Sequence, residues 1–197
     1  MKPYHLLLLA SVFMLACNNA PEKTKPAVTD TTGTNAGAVA SVPDTAWHAD
    51  FLVLQKVLAQ SDKKGLKEFM SFPIMNAGND IWRLVDVNGT MDIPSGKVKP
   101  FTEADYDKYH RIIFTFNLPP AIRKINAEEL FKNDYSITPE SIDKKGVKTE
   151  LEVRFDQYAN RLTLRLITKN DQWEFARFYH FNIKKGKLVF QQLVVAG

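Results

Sequence analysis

The hydrophobic repeat of this chain changes its period once, and that change constrains the fold more than any other feature of the sequence. In the first part of the globular region, apolar side chains recur at spacings of three and four, which is typical of one face of an amphipathic helix. The first such set is Trp47, Phe51, Leu54 and Leu58. From Glu150 onward apolar and polar side chains alternate, which is typical of strands with one buried face. Helices and strands that are segregated along the chain in this way predict an α+β fold.

Two helices are expected at the start of this region. The first begins next to Asp44 or Thr45, because either side chain can accept hydrogen bonds from the free N–H groups of a first turn. Ser61 or Asp62 then begins a second, shorter helix. Proline disfavours the helical conformation of the residue before it, so Phe72-Pro73 is expected to end this helix.

A third helix is expected to begin at Thr102, which forms a variant capping box with Asp105. Its apolar stripe consists of Tyr109, Ile112, Ile113 and Phe116. The run Leu118-Pro119-Pro120 is expected to end it, because proline lacks the N–H that a helix needs. A further helical turn is expected at Ala127 to Phe131.

A β-hairpin is expected between the second and third helices. The segment Ile81 to Val87 reads as a strand, and a second strand runs from Thr90 to Ile93. Asn88-Gly89 lies between them, and this dipeptide favours a hairpin because both central residues of a type I′ turn need positive φ.

The C-terminal part of the chain predicts an antiparallel meander of four strands with one buried and one solvent-exposed face. The strands are expected around Leu151 to Phe155, Leu162 to Leu166, Trp173 to Ile183 and Leu188 to Val195. Turn signals separate them at Ala159-Asn160, Asn170-Asp171 and Lys185-Gly186. Charged side chains are expected to form cross-strand pairs on the exposed face: Glu152, Arg154, Asp156 and Arg165.

A curved sheet wrapped over the helices would bury the apolar faces of both. The order of these elements, with the opening segment FLVLQKVLAQSDKKGLKEFMSFPI and the terminal meander, resembles the nuclear-transport-factor-two-like superfamily. The resemblance covers Thr45 to Gly197. It implies a cone-shaped, cystatin-like α+β fold with N-terminal helices packed on a curved antiparallel sheet and a pocket inside the cone. Some members are isomerases or dehydratases, but no catalytic motif of theirs maps onto residues of this chain.

The first seventeen residues, MKPYHLLLLASVFMLAC, predict a lipoprotein signal. Lys2 provides the positive start, and Leu6 to Ala16 is an apolar run shorter than the ~20 residues that span a bilayer. Met14-Leu15-Ala16-Cys17 resembles the bacterial lipobox, with Met14 where leucine is usual. The resemblance implies that Cys17 is acylated, as by palmitate, and becomes the first residue of the mature chain. The alternative is an ordinary signal peptide with an incidental cysteine.

Residues 18–44 are expected to form a disordered tether, because they contain no aromatic side chain and are rich in small and polar residues. Residues 45–197 then form a single α+β domain. Asn18 is not the aspartate that retains some lipoproteins in the inner membrane of Gram-negative bacteria. This favours the bacterial cell envelope, with a lipid anchor in the outer membrane and the domain facing the periplasm.

Charge and residue content argue against several function classes. The net charge is only +4, and the basic pairs lie beside turn signals, which argues against nucleic-acid binding. The four histidines are solitary and Cys17 is the only cysteine, so neither a metal site nor a disulfide is expected. No cofactor motif is present, and no nucleophile elbow.

Five residues remain candidates for a functional site. Arg177 falls in phase with Trp173 and Tyr179 on one strand, so a guanidinium that binds an anionic group is predicted in an aromatic setting. The alternative is a β-bulge that turns Arg177 to solvent. His180 has the opposite phase, as a general base or a structural histidine, and His110 flanks the apolar stripe of the third helix.

These observations favour a non-catalytic envelope lipoprotein that binds a small apolar or anionic ligand, or an envelope protein. One alternative is an enzyme of the isomerase or lyase type that works in the cone. Another is an immunity or inhibitor protein. The interior of the cone would distinguish them, because converging titratable groups would favour the enzyme and an exposed flat aromatic patch would favour a protein partner.

Overall fold

The computed structural model describes residues 45–85, 99–115 and 117–197, in which helices come first and strands follow. The helices are α1 (Trp47–Gln60), α2 (Lys63–Lys67), α3 (Ile81–Val85), α4 (Glu103–Ile113), α5 (Leu118–Ile122) and α6 (Ala127–Asn133). The strands are β1 (Tyr135–Ile137), β2 (Ser141–Ile142), β3 (Lys148–Asp156), β4 (Arg161–Lys169), β5 (Glu174–Lys184) and β6 (Lys187–Ala196). Within these residues, none of the helices has the length and apolar character needed to cross a membrane.

All described strands belong to one antiparallel sheet, which confirms the α+β class. The order is β1-β3-β4-β5-β6, and β2 pairs with β3 beside β1. The predicted four-stranded meander is β3 to β6, joined by the three predicted turns. The short strands β1 and β2 were not predicted, because segments of two or three residues carry too few positions to show a period.

One face of this sheet and the helices share a single hydrophobic core. The inner-face side chains alternate along each strand and are buried: Leu151, Val153, Leu162, Leu164, Leu166, Tyr179, Phe181, Ile183, Leu188, Phe190, Leu193 and Val195. The predicted apolar face of α1 is buried with them, since Trp47, Phe51, Leu54 and Leu58 are at most 1% exposed. The predicted alternation therefore groups the buried side chains of β3, β4 and β5 on one face, whereas in β6 it is interrupted between Phe190 and Leu193.

The ends of the helices follow the sequence in one case and depart from it in another. Thr102 and Asp105 form the predicted capping box of α4, with each side chain accepting from the other residue's backbone N–H. The predicted cap of α1 is wrong for Thr45, because the N-cap is Ala46 and no side chain caps it. The backbone carbonyl of Thr45 instead accepts from His48 N at 3.0 Å, and Asp44 lies outside the described residues.

The predicted strand at Ile81 is wrong, because Ile81–Val85 is the helix α3. A five-residue segment with four apolar side chains does not reveal its own period, so a strand and a buried helical turn look alike in sequence. Ile81, Trp82 and Val85 are buried on one side of the helix, and Trp82 Nε1 donates to the carbonyl of Lys99 at 2.9 Å. The predicted turn at Asn88-Gly89 and the second strand lie outside the described residues.

The two prolines after α4 begin a helix and do not end one. α4 ends at Ile113, and Pro119 and Pro120 lie in the first turn of α5. Proline suits that position, because the first N–H groups of a helix have no partner within it. Phe116, the last residue of the predicted stripe, is outside the described residues.

The free edge of β6 is closed by groups from the helical half of the domain. Four N–H groups on that edge donate to them: Leu188 to Asp50 Oδ2, Phe190 to the Phe69 carbonyl, Leu193 to Asn79 Oδ1 and Val195 to Asp80 Oδ2. An uncovered edge strand would present these groups to another chain. The residues before α3 therefore have a structural role that the hairpin prediction missed.

The outer face of the sheet carries the charged side chains, as predicted. Arg165 and Glu152 are cross-strand neighbours and form an ion pair at 3.2 Å. The register places Arg154 opposite Thr163 and Asp156 opposite Arg161. The predicted pairing is thus confirmed for Arg165, while Arg154 has an uncharged neighbour on β4.

Candidate functional site

The C-terminal end of α4 is held by two side chains of β5. Arg177 Nη1 donates to the carbonyl of Ile112 at 3.1 Å, and the Tyr179 hydroxyl donates to the carbonyl of Ile113 at 2.8 Å. The last carbonyls of a helix have no partner within it and carry partial negative charge, so both contacts are favourable. Arg177 therefore points to the inner face of the sheet, in phase with Tyr179.

The β-bulge that would have turned Arg177 to solvent lies elsewhere. The pairing of β5 with β6 shifts between His180 and Phe181, where Gln192 and Phe190 are the opposite residues. The extra residue is therefore on β6, and the alternation of β5 continues unbroken through Arg177. The guanidinium is half-buried as a result.

Arg177 lines a cavity of about 420 Å³ between the start of β5 and the segment that follows α4. Its other lining residues are Thr115, Asn117, Leu166, Thr168, Trp173, Glu174, Phe175 and Gly197. The guanidinium carbon lies 5.6 Å from the centre of the Phe175 ring, within the range of a cation–π contact. The cavity thus combines aromatic and aliphatic walls with the Arg177 guanidinium, the exposed Glu174 carboxylate and a few uncharged polar groups, and we call it the Arg177 cavity.

Two of the three predicted ligand-binding residues meet at this cavity. Trp173 is 45% exposed and forms part of the wall beside Arg177. Tyr179 is fully buried and is not among the lining residues. Burial raises the pKa of its phenol to about 12, although Arg177 acts in the opposite direction. Tyr179 therefore lies in the core behind the cavity wall and is not part of the surface that a ligand would contact.

The sequence did not reveal Thr115 and Asn117 as lining residues. They belong to the connection between α4 and α5, and only the packing of that connection against β5 brings them to Arg177. A polar pair after a helix end is a common loop signal, so nothing in the local pattern could have distinguished them.

The charge of Arg177 is not neutralised by a carboxylate in the part of the chain that the structure describes. No ion pair within 4.0 Å involves it there, although the exposed Glu174 lines the same cavity. A guanidinium has five N–H donors, and one of them is used by Ile112. Donor capacity for an anionic group therefore remains at this site.

The candidate histidines lie away from this cavity. His180 is on the outer face, where Thr163 Oγ1 lies 2.9 Å from its Nδ1, and burial followed by Arg161 lowers its pKa to about 4. His110 lies on α4, and burial, Lys63 and Arg111 together lower its pKa. Among the described residues, no group of three or more His, Cys, Asp or Glu side chains could hold a metal ion.

The fold and the site together define the class of this protein: an α+β domain with a mostly apolar cavity that contains an arginine and lies at the start of β5. Comparison with family models found no match, and comparisons with curated proteins and with solved structures found none either.

Proposed function

We propose that this protein is a membrane-anchored bacterial envelope lipoprotein whose domain binds a small anionic ligand with an apolar body, without catalysis. The observation that carries the proposal is the Arg177 cavity, in which an unneutralised guanidinium stands beside Trp173 and Phe175. Ligand sites are typically concave and mostly apolar, with a few fixed polar groups that orient the ligand. A small aromatic carboxylate has this combination of charge and shape.

The fixed position of the guanidinium supports the proposal. The bond from Nη1 to the Ile112 carbonyl and the contact with Phe175 hold the planar group before any ligand arrives. A cation that is already positioned loses little side-chain entropy when it binds an anion. Arginine also presents two parallel donors to a carboxylate, which a lysine does not.

The lining of the cavity favours binding over catalysis. Among the residues that line it, Glu174 is the only carboxylate side chain, it is exposed, and no histidine accompanies it. Acid–base chemistry needs a group with a suitable pKa within hydrogen-bond reach of the reacting atom. A cavity with one fixed cation, aromatic walls and a carboxylate that is exposed to solvent suits the binding of an anion better than acid–base chemistry.

The anchor and the fold type are further parts of the proposal. The apolar run before Cys17 and the lipobox-like tetrapeptide support acylation at Cys17 and a position at the outer membrane. The order of helices and strands, with the helices on one face of an antiparallel meander, supports a nuclear-transport-factor-two-like cone. An experimental structure of the domain would test the cone directly.

The ligand site is tested by titrating benzoate into the full chain in lipid nanodiscs. The three tryptophans are labelled with 5-fluorotryptophan and followed by fluorine NMR, because Trp173 lines the cavity while Trp47 and Trp82 are buried. Benzoate is expected to shift the Trp173 signal, which a Trp173→Phe variant identifies. Arg177→Ala should abolish the shift. It should also cost about 1–2 kcal/mol of stability, because the Ile112 carbonyl loses its donor.

Two comparisons decide the outcome. Benzyl alcohol has the same ring without the charge, so it should bind more weakly than benzoate by roughly tenfold, as expected for a charge-assisted hydrogen bond. Arg177→Lys keeps the charge without the planar fork and should retain part of the affinity. Equal binding of both probes, or an unchanged Trp173 shift in Arg177→Ala, would overturn the proposed ligand site.

The anchor is tested with Cys17→Ser. Acylation buries hydrocarbon worth ~0.8 kcal/mol per CH₂, and stable attachment takes two chains or more. The serine variant should remain unprocessed or appear as a soluble form, as seen by fractionation and mass spectrometry. Normal maturation of this variant together with unchanged partitioning into membranes would contradict the lipoprotein proposal.

A further inference from the structure

A second cavity, of about 790 Å³, lies between the end of α1, α2, α4 and the start of α5. It shares no lining residue with the Arg177 cavity. We call it the His110 cavity, and its lining residues are Leu58, Ser61, Lys63, Leu66, His110, Arg111, Phe114, Leu118 and Pro119. Its volume falls within the range of small-molecule sites, which is about 300–1,000 Å³.

The floor of the His110 cavity is apolar. It is formed by four side chains of the core that are each at most 9% exposed: Leu58, Leu66, Phe114 and Leu118. Polar ligands would have to give up water against this floor without gaining hydrogen bonds. The floor therefore suits a hydrocarbon chain or ring.

The polar residues of the same cavity are basic or uncharged. Lys63, His110 and Arg111 line it together with Ser61, and no Asp or Glu is among the lining residues. Lys63 is already paired with Asp107 at 2.8 Å. Arg111 is exposed, and within the described residues no ion pair involves it.

The behaviour of His110 is consistent with a positive potential in this cavity. Its Nδ1 is buried and has no hydrogen-bond partner in the part of the chain described. Burial lowers the pKa of the ring, and the charges of Lys63 and Arg111 lower it further, while Asp107 acts in the opposite direction. A positive charge on the ring is therefore disfavoured there, and Arg111 is left as the unpaired cation among the lining residues.

We propose that the His110 cavity is a second binding site, which takes an amphipathic carboxylate of the fatty-acid type. The hydrocarbon chain lies on the floor made by Leu58, Leu66 and Leu118, and the carboxylate lies at the rim near Arg111 and Ser61. Each half of such a ligand matches one half of the cavity. A short anion leaves the floor uncovered, and a neutral alcohol leaves the rim charge without a partner.

The test uses a photoreactive analogue of decanoate on the full chain in lipid nanodiscs. Mass spectrometry then identifies the labelled peptides, so partition of the probe into lipid does not affect the assignment. We expect label in peptides that contain residues 58–66 and 110–119. Unlabelled decanoate should compete, whereas decanol and acetate should compete at least roughly fivefold less well, as expected for loss of one charge contact or of several buried methylenes.

Ser61 offers a matched pair of variants. It adopts φ 53°, in the left-handed region that asparagine and aspartate tolerate better than most residues. Ser61→Asn and Ser61→Asp have nearly the same shape, and they differ by one negative charge at the rim. The Asn variant should label like the parent protein. The Asp variant should label roughly fivefold less, because two negative groups a few ångströms apart repel even in water.

Arg111→Gln provides an independent arm, with Arg83→Gln as its control, because Arg83 is an exposed helical arginine that does not line the cavity. Arg111→Gln should weaken labelling, whereas Arg83→Gln should not. The proposal is overturned if label falls outside the two peptides, if decanol competes as well as decanoate, or if the two Ser61 variants label equally. A negative result in the benzoate titration would contradict only the proposed site at the Arg177 cavity. The two proposals are therefore tested separately, because the two cavities share no lining residue.

Discussion

At the scale of single residues, the most important side chains are those that pair with backbone groups left over by the helices and the sheet. Arg177 and Tyr179 do this for the last carbonyls of α4, and Asp50 and Asp80 do it for the edge of β6. Buried backbone groups without partners are costly, so each of these contacts helps to select one arrangement of helices on the sheet. The hydrogen bond from Arg177 to the Ile112 carbonyl also fixes the guanidinium in the wall of the Arg177 cavity.

His180 makes the stability of the domain depend on pH. Its folded-state pKa of about 4 lies below the ordinary value of 6.5, because burial and then Arg161 disfavour the charged ring. The unfolded chain therefore binds the proton more tightly, and stability falls as the pH drops from 6.5 towards 4. Since the ring is only half-buried, the loss between about pH 7 and about pH 5 is expected to be about 1 kcal/mol.

The measurement compares urea unfolding of the parent protein and of His180→Gln at both pH values. Carboxylates also titrate in this range, but they are common to both proteins, so the difference isolates His180. Glutamine keeps a hydrogen-bonding group for Thr163. An identical pH dependence of the two proteins would show that the ring is solvated and titrates normally.

At the scale of elements, α4 and α3 show when a local signal is sufficient. The start of α4 is encoded by two residues three positions apart, Thr102 and Asp105, whose hydrogen bonds to each other need no distant partner. α3 has no such cap signal, and its apolar run fits a strand equally well. Its conformation is settled by distant groups, including the Lys99 carbonyl that receives Trp82 Nε1.

Removal of the cap should destabilise the domain through α4. Thr102→Ala deletes the hydroxyl that accepts from Asp105 N and donates to Asp105 Oδ2 at 2.7 Å. Loss of an N-cap hydroxyl costs ~1 kcal/mol, and up to about 2 in protein hosts. Thr102→Ser keeps the hydroxyl and should lose less than about 0.5 kcal/mol. Chemical denaturation of both variants provides the measurement, and equal stabilities would contradict the role of the cap.

The same variant should raise the pKa of Asp105. Burial acts to raise this pKa in the parent protein, but the hydrogen bonds from Thr102 and the nearby Lys99 outweigh it and hold the pKa below the ordinary value. Stability that depends on a lowered carboxyl pKa is present above the ordinary value and is lost as the pH falls through the lower one. Thr102→Ala should therefore lose part of this acid sensitivity, whereas Thr102→Ser should keep it.

At the scale of the whole molecule, one core joins the helices to the inner face of the sheet. α1 packs on α5 and reaches the edge strand β6, and α5 reaches β3 near the opposite edge, so the helices span the width of the sheet on one face. Trp47 at the start of α1 lies against Phe131 of α6 and Phe155 of β3. A domain of this size buries roughly two-thirds of its unfolded surface, which is sufficient without a disulfide.

A chain that begins at Thr45 should therefore fold and unfold like one that begins at Asn18. Residues 18–44 contain no aromatic side chain to add to this core, and the core residues described all follow them. The melting temperatures of the two chains should agree within a few degrees, given that ~1 kcal/mol shifts the midpoint of such a domain by a few degrees. A larger loss on truncation would show that residues 18–44 pack on the domain.

The sequence by itself determined the features that depend on neighbours along the chain. The period of Trp47 to Leu58 placed α1, the alternation after Glu150 placed β3 to β6, and the pair Thr102 and Asp105 placed the start of α4. In each case the signal lies within a single helix or a single strand. The phase of Arg177 on β5 was readable for the same reason.

Only the tertiary structure decided what depends on groups far apart in sequence. The helical state of Ile81–Val85, the start of α5 at Leu118 and the closure of the β6 edge all follow from packing against distant segments. Both cavities are of this kind, because their walls come from elements that no local pattern brings together. Lys63 and Arg111 look like ordinary surface charges until α2 packs beside α4, since solvent and a cavity rim impose the same local requirement on a charged side chain.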